Sequence, residues 1–375
     1  MDNPKLLQNL PSNCDLASSA DKQVSHTLDE ILTQPVAWQA ALEVVKTRQA
    51  ALKNVWTENQ FSEILVTGCG STYYLSLAVA PLLQQQLDKR ARAVPASELL
   101  FFPTTVIPSD SVPLLMTISR SGRTTETIRA AQKYKALQKQ AAVLNIGCYD
   151  DTELGALSDL ALVIQEGQEQ SVVQTRSFSA MLVAAQAAVA SLVDEQRLDE
   201  MKKLPASGEQ LIATYHDLAR QLGQDARFER FYFLGSGLHY GLACEANLKM
   251  KEMSLSVSEA FHFMEFRHGP MSMVNERTLV VGLLSDTARS YELAVLREMQ
   301  ALGAQTLVLS EQMVTEQEAD YQVCFDSGLP EACRSVLYLP VLQMLGYYRA
   351  ILNGQNPDQP HNLSAVIVLE TESAS

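Results

Sequence analysis

The chain has 375 residues, 47% of them hydrophobic and 19% charged, with a formal net charge of −14 at pH 7. A length beyond the roughly 100–200 residues of one domain implies two domains, each with a substantial core. The acidic balance excludes general nucleic-acid binding, which needs clustered Lys and Arg, but not a small anion held by helix-end N–H groups and one Arg.

In chain order, residues 1–45 read as a polar leader and a helix, with no apolar h-region of a signal peptide. An apolar run then enters the glycine turn Gly68-Cys69-Gly70 and a helical Ala/Leu-rich stretch. A second strand, 113–119, ends in Ser119 and leads into a helix over 125–138; strands over 142–147 and 160–164 follow. The Ala-rich stretch 181–193 falls short of the ~18 residues that span a bilayer, so no membrane partner is expected. The polar segment 194–208, with Pro205, reads as a linker.

Beyond that segment the pattern repeats, offset by about 160–170 residues. Strands 231–237, 278–285, 305–310 and 321–325 match the first set, with a helix over 290–302. Continuous apolar strands alternating with helices predict α/β architecture: two doubly wound, mostly parallel sheets flanked by helices. The expected division is a leader at 1–45, a first domain at 46–200, a second at 209–350 and a tail at 351–375 that returns to an apolar strand. The six cysteines (14, 69, 148, 244, 324 and 333) form no CxxC and read as thiols of a reducing cytoplasm. The six histidines show no HExxH spacing, so neither metal nor cofactor is expected.

The chemistry concentrates in two places. At the end of the second strand, Ser119-Arg120-Ser121-Gly122-Arg123-Thr124 opens a helix, with Thr127 a little beyond. Hydroxyls and free N–H groups at a strand-to-helix junction can ring a phosphate, and Gly122 permits close approach. No GxxxxGK[ST] lysine is present, so this is not a nucleotide P-loop. A capped helix with surface serines fits the same letters. The turn Gly68-Cys69-Gly70-Ser71-Thr72 lacks the third glycine of a dinucleotide fingerprint and suits a companion loop better. In the second half, Glu245, Lys249 and Glu252 stand at i, i+4 and i+7, presenting carboxylate, ammonium and carboxylate on one helical face. That set suits proton transfer between adjacent carbons, but also a surface ion-pair ladder.

The succession Gly68-Cys69-Gly70-Ser71-Thr72, Ala96-Ser97-Glu98, the loop 119–124, Val172-Val173-Gln174-Thr175-Arg176-Ser177-Phe178, the Glu245/Lys249/Glu252 helix and Glu265-Phe266-Arg267-His268-Gly269-Pro270 resembles a tandem SIS (sugar isomerase) protein. It is similar to the isomerase half of glucosamine-6-phosphate synthase. Arg120 and the 266–270 motif look closer to the galactosamine-/tagatose-6-phosphate ketose-aldose isomerase and fructosamine-6-phosphate deglycase group. The resemblance implies a sugar 6-phosphate ligand, with the phosphate on Ser119, Arg120, Ser121, Thr124 and Thr72. It places Ser71, Val172, Gln174 and Glu245 along the sugar, with Glu252 as the C1–C2 proton base beside Lys249. His268 corresponds to a ring-opening histidine supplied by a neighbouring subunit, which implies a homodimer with a shared active site.

Two departures bear on the reaction. The chain begins Met1-Asp2, with no glutaminase cysteine, so ammonia from glutamine is not expected. Ser364-Ala365 stands where the synthase has an imine-forming lysine, and alanine cannot form a Schiff base. The expectation is therefore conversion of a hexosamine 6-phosphate to a ketohexose 6-phosphate plus ammonia. Deglycation of a fructosamine 6-phosphate and plain aldose–ketose isomerisation are the alternatives. A non-catalytic phosphosugar regulator is the alternative of another class, although no basic recognition helix occurs in 1–50. In the second repeat Asp286 faces the position of an incoming phosphate, so that copy is expected to be structural and dimer-forming.

Overall fold

A computed structural model describes residues 25–59, 61–138 and 142–364. Two helices lead in, α1 (His26–Leu32) and α2 (Gln34–Glu58). The first repeat then runs β1 (Glu63–Gly68), α3 (Ser71–Leu87), β2 (Ala91–Pro95), α4 (Ala96–Phe101), α5 (Pro103–Val106), β3 (Pro113–Ser119) and α6 (Thr125–Leu137). It closes with β4 (Val143–Gly147), α7 (Glu153–Leu157), β5 (Leu160–Val163) and the long α8 (Arg176–Val193). Helices α9 (Glu195–Glu200) and α10 (Leu204–Gly223) lead to the second repeat: β6 (Arg230–Gly235), α11 (Leu238–Ser254), β7 (Val257–Phe261), α12 (Phe263–Phe266) and β8 (Thr278–Leu283). Then come α13 (Arg289–Ala301), β9 (Gln305–Ser310), β10 (Tyr321–Cys324), α14 (Glu331–Arg334) and α15 (Leu339–Leu352).

Both sheets are parallel and share one topology. The strand orders are β2-β1-β3-β4-β5 and β7-β6-β8-β9-β10, so the repeat read from the sequence is a repeat of fold. Strand β3 is buried along its whole length, as an interior strand covered on both faces must be. In this order the chain reverses direction between β1 and β3, and ligands of open α/β sheets sit beyond the strand ends at such a point. The turn after β1 and the loop after β3 both lie there.

Three expectations change. Each sheet has five strands, not four: the added β2 and β7 are edge strands whose mixed, partly exposed residues make no apolar run. The segment 194–208 is no loose linker but α9, a short turn and the start of α10, where Gly208 packs so closely that a Cβ would come 2.2 Å from Trp38. The apolar stretch 181–193 belongs to an 18-residue helix, α8, long and apolar enough to cross a membrane but 83% buried in the protein interior. Trp38 of α2 donates its indole N–H to Ser179 of α8 at 2.8 Å. One apolar core embraces α2, α3, α8, α11 and α15, so the repeats share their interior. Residues 365–375, with the expected final strand, and Cys14 lie outside the described residues.

The repeats meet through their first helices. At Gly241 a Cβ would stand 2.5 Å from the backbone N of Ala78 and 2.7 Å from the carbonyl of Tyr74. Only glycine lets α11 lie this close on α3. That crossing carries the charged face of α11 to the N-terminus of α3.

Candidate active site

The glycine turn after β1 sets up the site. Gly70 takes φ +57, and Thr72 accepts from the Cys69 N–H and donates to the Cys69 carbonyl, both at 2.9 Å. Gly68 has no room for a Cβ against Thr72. The turn thus presents Ser71 at the start of α3, while the Thr72 hydroxyl is tied within its own turn. The loop after β3 is shaped from inside: Ser119 accepts from the Gly122 N–H and Ser121 from the Arg123 N–H, each at 3.2 Å. Gly122 has φ +60, and a Cβ there would meet Thr152 at 2.5 Å, so glycine is required on both counts. Helix α6 starts at N-cap Thr124 without a side-chain cap bond, so the Thr124 hydroxyl satisfies none of the N–H groups of its first turn. The loop is therefore not spent on capping.

A pocket of about 160 Å³ opens between these loops, lined by Ser71, Arg120, Thr124, Val172, Gln174 and Glu252, with Cys69, Glu126, Leu363 and Ser364. Six of the residues singled out from the sequence thus share one cavity. Arg120 is buried and donates to Glu169 Oε2 at 3.2 Å and to the Val172 carbonyl at 3.1 Å, joining the hydroxyl loop to the 172–174 wall. Glu169, its side chain wholly buried, also accepts from the Thr175 N–H at 2.7 Å and the Ser177 N–H at 3.1 Å. Gln174 Oε1 and Glu126 Oε2 are buried without a hydrogen-bond partner in the described chain. Unpaired acceptors at a pocket wall suit a ligand rich in hydroxyl groups.

The Glu245/Lys249/Glu252 face is not a surface ladder. Lys249 and Glu245 are fully buried, with Lys249 Nζ 3.2 Å from Glu245 Oε1, 2.5 Å from Glu252 Oε2 and 3.1 Å from Ser71 Oγ. Burial pushes the Glu245 carboxyl up to about 8, against the pull of Lys249 and with the push of Glu252. Burial also opposes the Lys249 ammonium, but the two carboxylates outweigh it and hold its pKa above the ordinary value. One cation between two carboxylates in a dry site retains one extra proton. Glu245 thus holds its proton more tightly than an ordinary glutamate, while the Glu252 side chain, a fifth exposed, lines the pocket.

The sign of the resulting pH dependence follows. Folded Glu245 keeps a proton that an unfolded Glu near 4.5 has lost, so its stabilising contribution is full below about 4.5 and is lost as pH rises towards about 8. Urea unfolding of the chain between pH 5 and 8 should show stability declining with pH. Glu245→Gln, which mimics the protonated acid, should flatten that slope by up to about 1.4 kcal/mol per pH unit. Equal slopes in the two proteins would rule out the buried proton.

His268 does not reach this pocket within one chain. It is exposed in a separate depression with Met264, Arg267, Met271 and Glu298. A larger, open depression beside Tyr149, Asp150 and Glu153 contains none of these residues.

In the second repeat the loop after β8 is shaped by other means than a repelling Asp286. That side chain is half-exposed and paired with buried Arg334 at 2.5 Å. The position matching the β3 loop is filled by buried Glu292, which accepts from the Ser285 N–H at 2.7 Å and from the Ser285 hydroxyl at 3.0 Å. A carboxylate of the chain itself thus takes the N–H and hydroxyl of the serine that matches Ser119. Leu238 and the fully buried His239 stand where the first repeat has Ser71 and Thr72; burial depresses the His239 pKa to about 3, so it stays neutral.

Sequence comparison agrees with this geometry. A model of the SIS domain matches residues 59–191 and 226–345, and the chain belongs to that family, with two copies in tandem. Glutamine--fructose-6-phosphate aminotransferase [isomerizing] of Pseudomonas syringae pv. tomato is 28% identical over 376 residues, covering 94% of this chain and 61% of that protein. The same enzyme of Idiomarina loihiensis is 27% identical over 367 residues, covering 92% and 58%. The chain thus spans about three fifths of the length of these curated relatives. A crystal structure of glucosamine-6-phosphate deaminase from Thermotoga maritima superposes with a TM-score of 0.72 at 28% identity, covering 92% of this chain and all of that one. Tagatose-6-phosphate ketose/aldose isomerase from Escherichia coli shares the fold at a TM-score of 0.82 and 22% identity, covering 95% and 99%.

Proposed function

We propose that the chain is a cytoplasmic enzyme that converts a hexosamine 6-phosphate and water to a ketohexose 6-phosphate and ammonia. The observation that carries this reading is the placement of Glu252, backed by Lys249, in one pocket with Thr124 and Arg120 of the hydroxyl loop. The phosphate would sit on Ser119, Ser121, Thr124 and the first turn of α6, with Arg120 at its edge. Ser71, Val172 and Gln174 would face the sugar carbons, and the unpaired Gln174 oxygen would accept from a sugar hydroxyl.

In the open-chain sugar Glu252 takes the proton from C2, and the electron pair forms the C1–C2 double bond of an enolamine. Lys249, within reach of Ser71 and Glu252, steadies the developing charge on the C1 oxygen. Glu252 returns the proton to C1, the C1 oxygen takes up a proton as the amino nitrogen gives one up, and an imine is left at C2 beside a C1 hydroxyl. Water adds to that carbon and ammonia departs, so no oxidant or reductant is needed. Ring opening would fall to His268 of a second copy of the chain, in a homodimer that shares its active sites. A sequence with Ala365 has no amine there to form an imine with a ketose, which favours a substrate already bearing nitrogen.

Glucosamine 6-phosphate, galactosamine 6-phosphate, fructosamine 6-phosphate and tagatose 6-phosphate offered in turn to the purified chain test this reading. Ammonia and ketose 6-phosphate released together from an aminosugar are expected. Glucose 6-phosphate and an amine from the fructosamine alone would overturn it in favour of deglycation. Binding of all four without turnover would make the chain a sensor.

A further inference from the structure

Two walls of the pocket are made by loops far apart in sequence: Val172 and Gln174 ahead of α8, and Leu363 and Ser364 of the tail. Both loops are fastened to the same short helix, α1. Near its middle, Glu30 is buried and accepts from the Gln170 N–H at 2.5 Å, the Ser171 N–H at 3.3 Å and the Ser171 hydroxyl. Those residues lead directly into Val172. At its C-cap, the Thr33 hydroxyl accepts from Arg176 at 3.0 Å, where the same loop enters α8. At its other end the carboxylate of Asp358 accepts from the Ser25 hydroxyl at 3.0 Å, the His26 N–H at 3.1 Å, and the Thr27 N–H and hydroxyl at 2.8 and 2.7 Å. Asp358 stands five residues before Leu363 in the tail.

None of these groups lines the pocket, and none belongs to the proton-transfer set. Their bonds are of the strong kind, charged acceptors on N–H and O–H donors, and Glu30 sits where water cannot replace a lost partner. We infer that Glu30 and Asp358 are positioning residues, and that α1 is a bracket that fixes the 172–174 wall and the tail wall relative to each other. Loosening one end frees the helix and so reaches the wall held by the other. The functional part of this inference rests on the sugar-phosphate reading of the pocket; the mechanical part does not.

Amide hydrogen exchange on the full chain without ligand, compared with Glu30→Ala and Asp358→Ala, tests the bracket. Each substitution is expected to speed exchange at least ~10-fold both in 170–174 and in 359–364, while the strands of the two sheets keep their protection. With a substrate that the wild-type chain turns over, each should raise KM by more than it lowers kcat, because the walls position the sugar while Glu252 and Lys249 are untouched. Should an alanine variant unfold, Glu30→Gln and Asp358→Asn keep an acceptor oxygen, and the same two-wall pattern is expected at smaller amplitude. If Asp358 variants loosen only 359–364 and Glu30 variants only 170–174, the bracket is wrong. If the wild-type chain turns over no sugar phosphate, the functional reading falls while the exchange pattern still decides the bracket.

Discussion

Glu252→Gln is expected to lower turnover of a hexosamine 6-phosphate by about 10²–10⁴-fold, the range that removal of a positioned general base produces. The change is close to isosteric and keeps an oxygen to accept from Lys249, so the crossing of α3 and α11 should persist. If Glu252 meets the sugar carbons and not the phosphate, affinity for a sugar phosphate measured by calorimetry should stay within about threefold of wild type. This split separates a base from a binding residue, since loss of an interaction made only in the transition state lowers kcat and kcat/KM together. Full turnover in the variant would remove Glu252 from the mechanism. Tight binding lost together with turnover would reassign it to ligand binding.

Lys249→Met should have the largest effect on the fold. The substitution fills similar space but removes the cation that Glu245 and Glu252 share, so Glu245 stays buried only with its proton on and the acceptors around the lost ammonium go unsatisfied, at a cost of about 1–3 kcal/mol. Glu252 suffers less, because its side chain is a fifth exposed and can reach water. In urea unfolding above pH 8, where Glu245 would otherwise have to ionise, the companion variant Lys249→Met with Glu245→Gln should regain part of the lost stability, since an amide stays neutral at any pH. Turnover should not return with it if Lys249 is the cation that supports the reaction, since that cation is still missing. A double variant no more stable than Lys249→Met alone would show that the pair does not share its burial cost.

What could be read from the letters followed the strength of the physical signal. Interior strands such as 113–119 are continuous apolar runs because both faces are covered, and they stand out. The edge strands 91–95 and 257–261 pair on one side only and are partly exposed, so their composition resembles loop. The segment 194–208 carries charge and a proline and reads as linker, yet Pro205 falls in the first turn of α10, where it is tolerated. At the site, spacing placed Glu245, Lys249 and Glu252 on one face but could not say whether that face met water. The answer lay in Gly241, whose missing side chain lets two helices close over the lysine. Glu30, Glu169 and Asp358 were invisible as site residues for the same reason: a lone carboxylate in sequence carries no hint of the N–H groups that the fold will aim at it.

The most direct measurement of the central claim is a crystal structure of the chain with a bound sugar 6-phosphate. The phosphate is expected on the loop Ser119–Thr124 side of the pocket, in hydrogen-bond reach of Ser119, Ser121 or Thr124, with C1 and C2 of the open sugar beside Glu252. The second repeat, its cradle held by Glu292, should be empty. A phosphate bound in the second repeat, or a sugar whose C2 lies beyond reach of Glu252, would contradict the account.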